Sequence, residues 1–294
     1  MLLAYAALAC AVVLWGVAFP VMKFAVEHLG PLEVGFARMA FGALGGLGLY
    51  LAGDARTSGA LGPSLRRHAP TLLVLCGLVG YAQNFALTFG IARTPATTAS
   101  LLPPLNPICT VLLAAWILGE RITARQWGGF AVALAGVVLL GFRNGRPTWA
   151  DVAGPLILAV APISWGVYTV LAKRVLADIR PLTLTAVTLL GGFVAMLPWG
   201  SRPVATRLLG GTAGEWAAVL YLGLGSMATA YALWYFGLSR IGAATTGATA
   251  LGIPLVGVAA SWLFLGEPLG PVVLAAGVLI LAGLHLVLGG AARG

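Results

Sequence analysis

Charge is what this sequence has least of. Only 9% of its residues are Asp, Glu, Lys or Arg, and eight of those are acidic; an ordinary soluble domain carries about a quarter charged residues. So few charges cannot cover a water-exposed surface when 60% of the chain is hydrophobic and the mean hydropathy is +0.98. Cysteine is scarce too. Cys10, Cys76 and Cys109 stand singly in apolar runs, a spacing that suits neither a metal site nor a disulfide framework and reads as small buried hydrophobes. Reactive signatures are missing: there is no H-E-x-x-H, no paired aspartate, no G-x-S-x-G and no phosphate loop, which argues against an integral-membrane enzyme and implies no cofactor and no metal. The first apolar run has neither a basic leading segment nor a small-residue cleavage site before a polar chain, so an uncleaved first span is expected.

What is present is a series of apolar runs, roughly 3–26, 32–52, 70–91, 96–118, 122–142, 152–176, 182–199, 215–238, 243–265 and 270–289. A helical span needs about 20 mostly apolar residues. The expectation is therefore an all-α integral membrane protein with ten transmembrane helices, its main partner being the lipid bilayer. The two longest connections, 53–69 and 200–214, are rich in Gly, Ser, Thr or Arg and are expected to be loops.

The runs fall into two similar halves. WGVAFPVMKFAVEHLGPL at 15–32 returns 150 positions later as WGVYTVLAKRVLADIRPL, and at an offset of 147 Arg93, Pro107, Gly119, Glu120 and Gly136 match Arg240, Pro254, Gly266, Glu267 and Gly283. This gives two repeats, 1–143 and 150–290, of five spans each. Five is odd, so a continuous chain places the second copy upside down, the inverted-repeat plan of transporters. With the N-terminus inside, ten basic residues fall in inner connections and six in outer ones. The net charge of +9 then reads as a topology signal rather than a nucleic-acid surface, and it predicts both termini in the cytoplasm.

The Trp-Gly pair early in each half, Arg38 within GFARMAFGAL, Pro107 with Pro254, and the LGE endings at Glu120 and Glu267 together resemble the EamA-type members of the drug/metabolite transporter superfamily. The resemblance runs the length of the chain. It implies two inverted five-helix repeats around a central cavity lined by the first four helices of each half, in the cytoplasmic (inner) membrane. It also implies export of small metabolites, and within the family the chain is most similar to exporters of aromatic amino acids.

The residues suggest where a polar path could run. Tyr81, Asn84 and Thr88 fall at i, i+3 and i+7 of the third run, on one helical face. Tyr231, Trp234 and Tyr235 occupy the matching region of the second half. The first run adds Trp15 and Phe19, and its repeat adds Trp165, Tyr168 and Thr169. Rings with isolated hydrogen-bonding groups are the make-up of a small-molecule pocket and suit ammonium or planar ligands; the alternative is that they anchor helices at the membrane interface. The two Trp-Gly stretches are expected to face one cavity from its opposite ends.

Pro103, Pro104 and Pro107 interrupt the fourth run and Pro254 the ninth, which frees backbone carbonyls at corresponding places and puts Asn106 in reach of a substrate. A structural kink satisfied by Ser100 and Thr110 is the alternative. Arg38 could bind an anion, hold a gate with Glu33, or snorkel to the surface. Glu120 and Glu267 each follow a helix-ending Gly and are expected to cap the next helix.

No Asp or Glu lies in the middle of a run, whereas a proton-coupled exporter of organic cations usually has one. Facilitated efflux is therefore favoured. A drug exporter, a nucleotide-sugar carrier and a passive channel remain the other readings; the nucleotide-sugar case calls for several cavity cations where only Arg38 offers itself. Nearly apolar fifth and tenth runs suit a scaffold or a dimer contact, leaving monomer and homodimer both open.

Overall fold

The computed structural model describes residues 2–55, 61–102, 105, 106, 108, 109, 122–142, 149–200, 202–240, 249, 250 and 252–291. Pro103, Pro104, Pro107, Thr110 and Glu120 lie outside the described residues. Among the described residues every regular element is helical. The first half gives α1 (Leu2–Leu29), α2 (Pro31–Gly53), α3 (Leu61–Arg67), α4 (Ala69–Ile91), α5 (Ala96–Ser100) and α6 (Ala124–Gly141). The second gives α7 (Trp149–Val175), α8 (Pro181–Met196), α9 (Arg202–Leu209), α10 (Ala213–Arg240), α11 (Gly252–Leu265) and α12 (Pro271–Ala291). Among the described residues six helices are long and apolar enough to cross a membrane, and three shorter ones are apolar as well. The expected loops at 53–69 and 200–214 instead contain the short helices α3 and α9.

Local chemistry explains where helices begin. Pro31 and Pro181, counterparts in the repeat, open α2 and α8 at the turn where a missing N–H costs nothing. Thr123 with Gln126, and Thr212 with Glu215, form capping boxes at the starts of α6 and α10. Large apolar side chains such as Leu73, Leu134 and Trp262 remain on the outer surface, which suits lipid rather than water.

The helices pack across the halves in matched pairs. α1 lies against α10 and α11, as α7 lies against α4 and α5; α2 packs on α10 as α8 packs on α4. The pairs α2–α8 and α6–α12 are each made of repeat counterparts. Two of these contacts bring backbones together. A Cβ on Gly129 would stand 2.6 Å from the Gly283 carbonyl oxygen, and one on Gly80 would stand 2.6 Å from the Gly192 carbonyl oxygen. Only glycine permits such an approach.

Both α4 and α10 change winding, at overlapping places in their repeats. Leu78–Gln83 and Tyr221–Thr229 are π-helical. Such segments are rare and concentrate at functional sites.

Polar ties close the helix ends. Arg207 of α9 reaches the Glu33 carboxylate and the Leu29 carbonyl, both at 3.4 Å. Glu33, one of the partners the sequence offered Arg38, is engaged here by Arg207. At the start of α8, the Asp54 carboxylate accepts from the Thr183 amide and hydroxyl, each at 3.1 Å. Asp178, in the connection before α8, lies 2.8 Å from His68 and 3.5 Å from Arg67. The His68 hydrogen bond, with help from the Arg67 charge, holds the Asp178 carboxyl below its usual range.

Glu267 departs from expectation. It does not cap the helix that follows it. Its carboxylate accepts from the amides of Ala96 and Thr97, each at 2.8 Å, and from the Thr97 hydroxyl at 2.7 Å. The second half thus caps α5 of the first, a helix start that lacks a side-chain cap of its own.

Candidate functional site

The two repeats enclose a cavity where α1, α7 and α10 meet. Four rings form one wall: Trp15, Trp165, Tyr231 and Trp234. Trp15 and Trp165 do not stand at opposite ends as the sequence suggested. Their rings meet edge to face, with centroids 5.6 Å apart, and Tyr231 completes the contact at 5.8 Å from Trp15 and 5.4 Å from Trp165. Trp234 lies 5.2 Å from Trp15. Perpendicular arrangements of this kind suit the ring quadrupoles.

Two hydrogen bonds fix the cluster. The Trp15 indole N–H donates to the Ser226 carbonyl at 2.9 Å, and the Tyr231 hydroxyl donates to Gln83 Oε1 at 2.9 Å. Ser226 lies in one π-helical segment and Gln83 ends the other. The irregular winding thus supplies both of the partners that hold the rings.

The remaining wall is apolar with a few polar groups. Phe19 and Met22 come from α1, Leu87 from α4, and Ile253 from α11. Asn106 and Arg38 also line it. Arg38 is only 4% exposed, so it does not snorkel; its Nη1 lies 3.7 Å from the Met22 sulfur.

Of the residues that the sequence put forward, the cavity brings together Trp15, Phe19, Asn106, Trp165, Tyr231, Trp234 and Arg38. The others stand elsewhere. Tyr81 donates to the Ala195 carbonyl and lines a shallow apolar recess with Phe85 and Phe89. Asn84 is 1% exposed, and its amide meets the Gly35 carbonyl at 3.1 Å and the Met196 sulfur at 3.0 Å. Thr88 returns its hydroxyl to the Asn84 carbonyl, as Thr169 does to the Trp165 carbonyl. Tyr168 and Tyr235 are buried behind the cluster, with the Tyr168 hydroxyl on Thr188 at 3.3 Å. Pro254 is buried in α11.

The sequence reading missed Gln83, Met22, Leu87, Pro162 and Ser226, all of which line the cavity. Gln83 carried a usable signal, a long amide within an apolar run where an unpaired polar group is costly. Among the described residues no three His, Cys, Asp or Glu side chains gather to hold a metal.

Comparison with known proteins agrees with this architecture. A probable terminal-alkyne amino-acid exporter of Streptantibioticus cattleyicolor is 31% identical over 290 residues, covering 96% of this chain and 92% of that protein. An uncharacterized transporter of Archaeoglobus fulgidus is 29% identical, with 95% and 96% covered. A probable amino-acid metabolite efflux pump of Salmonella typhimurium is 26% identical, with 94% and 91% covered. One crystal structure at 23% identity superposes with a TM-score of 0.63 over 95% of this chain and 94% of that one, which shows the shared fold. The model of the EamA-like transporter family matches twice, at 2–142 and at 152–289. The chain is a multi-pass membrane transporter of two repeats and belongs to the EamA-like transporter family.

Proposed function

We propose that this protein exports small organic metabolites, most of all neutral and aromatic amino acids, by alternating access. The observation that carries the reading is the ring-walled cavity held between the two repeats. Its space of about 110 Å³ accommodates several water molecules or a small organic molecule. The rings offer stacking and cation-π contact to an amino acid's side chain and ammonium, and two of the relatives named above are described as a probable terminal-alkyne amino-acid exporter and a probable amino-acid metabolite efflux pump.

In this reading the chain forms ten spans as two inverted halves, 1–143 and 150–290, in the cytoplasmic membrane with both termini inside. Matched helix pairs provide two nearly equivalent packings, one open to each side. The ring cluster separates from the Trp15 side or the Trp165 side in turn. Substrate moves down its own gradient, since the cavity wall carries no carboxylate among the described residues.

Purified protein in liposomes tests this directly. Phenylalanine or tryptophan should enter saturably, and unlabelled substrate on the far side should accelerate the flux by counterflow. Flux of nucleotide sugars without any amino acid would overturn the substrate class, and unsaturable flux would indicate a channel.

A further inference from the structure

Among the described residues, Arg38 has no carboxylate counterion. It sits in α2 with 4% exposure, lines the cavity, and has a buried Nε that no hydrogen-bond acceptor meets. Its nearest sequence candidate, Glu33, is taken by Arg207, and among the described residues the partner its guanidinium meets is the Met22 thioether at 3.7 Å, a weak acceptor. A buried charge left unpaired is costly, and natural folds keep one only where something completes it. The cavity wall offers no Asp or Glu among its described residues.

We infer that Arg38 anchors a carboxylate of the transported molecule, so that the site takes carboxylate-bearing substrates, zwitterions or monocarboxylates with an apolar body, and rejects the corresponding amines. The inference deepens the transport reading above and rests on it for the identity of the cavity. A guanidinium matches a carboxylate with two parallel N–H donors, a geometry that an ammonium ligand cannot use and that repels it. The rings that line the same cavity then receive the rest of the molecule. The pairing also bears on the cycle: a cavity holding a lone cation must shed its water to close, whereas one holding the neutral pair closes at lower cost.

Three ligands that share a phenyl ring separate the possibilities: L-phenylalanine, 3-phenylpropionate, which lacks the ammonium, and phenethylamine, which lacks the carboxylate. Binding to detergent-purified protein is followed by quenching of tryptophan fluorescence. Both carboxylates should bind the wild type, and the amine should bind roughly ten- to a hundredfold more weakly. Arg38→Gln should lose the same factor for both carboxylates and nothing for the amine, and Arg38→Lys should recover part of it.

Equal binding of amine and carboxylates by the wild type overturns the inference, and this comparison needs no variant to fold. Undiminished carboxylate binding by Arg38→Gln overturns it too, as does a lack of binding by all three. Binding of phenylpropionate without phenylalanine supports the Arg38 assignment while removing amino acids as the substrate, so the two readings fail separately.

Discussion

The two halves share a backbone plan and differ in what they bring to the cavity. From the first half come Arg38, Gln83 and Asn106; their repeat counterparts are Thr188, Ala230 and Ile253, of which only Ile253 reaches the cavity. From the second half come Tyr231 and Trp234, opposite Asn84 and Leu87 in the repeat. Among the described residues only the tryptophan pair, Trp15 and Trp165, contributes the same chemistry from both sides. The likeness of the backbones gives the two halves matched helix packings, while the unlikeness of their side chains sets polar groups of the first half beside rings of the second, as where Tyr231 donates to Gln83.

Making the halves more alike should damage the protein most where backbones touch. Gly80 has Met227 as its counterpart, and a side chain at Gly80 would meet the Gly192 carbonyl oxygen at 2.6 Å and its Cα at 2.8 Å. Gly80→Met should therefore cost about 3 kcal/mol, seen as a fall in the yield of monodisperse protein and in its thermal midpoint. The opposite change, Met227→Gly, leaves space rather than overlap, and the protein should still fold.

A smaller effect separates the two tryptophans. Trp15→Phe loses the hydrogen bond to Ser226, worth about 1 kcal/mol, and should slow phenylalanine flux roughly fivefold more than Trp165→Phe, whose parent residue is held by ring contacts. Equal losses in liposome flux would show that the hydrogen bond contributes nothing to the cluster.

The smallest effect concerns a tie between the halves that has no counterpart in the repeat. Asp178 joins His68 and Arg67, whereas the counterparts of Asp178 and His68, namely His28 and Glu215, bond within their own helical segments, to Phe24 and Thr212. Because the folded state lowers the Asp178 pKa, its tie stabilises the protein above the ordinary carboxylate pKa and is lost as pH falls through the depressed value. Asp178 is solvent-exposed, so Asp178→Asn should lower the thermal midpoint only slightly at neutral pH and low salt, with the difference vanishing in acid.

Much of this was legible before any coordinates. The 150- and 147-residue offsets announced two halves, and aromatic residues in mid-run marked Trp15, Trp165, Tyr231 and Trp234. The face Tyr81–Asn84–Thr88 was a different matter. Counting 3.6 residues per turn presumes uninterrupted α-helix, and the π-helical Leu78–Gln83 breaks that phase within the very stretch being counted. Gln83 and Leu87 therefore reach the cavity in place of the face that was counted. The partner of Glu267 was hidden for another reason: a carboxylate after a helix-ending Gly looks local in sequence, while the helix start that needs it is 171 residues away.

That separation has a consequence for how the protein is made. The ribosome releases Ala96 and Thr97 long before Glu267, and at about 5–20 residues per second the interval is on the order of ten seconds or more. Throughout it, the amides at the start of α5 wait in or near the membrane without the carboxylate that will receive them. The first half therefore cannot reach its finished form during its own insertion; the last part of the chain to emerge completes it, and a chain truncated before Glu267 leaves the earlier half unlocked.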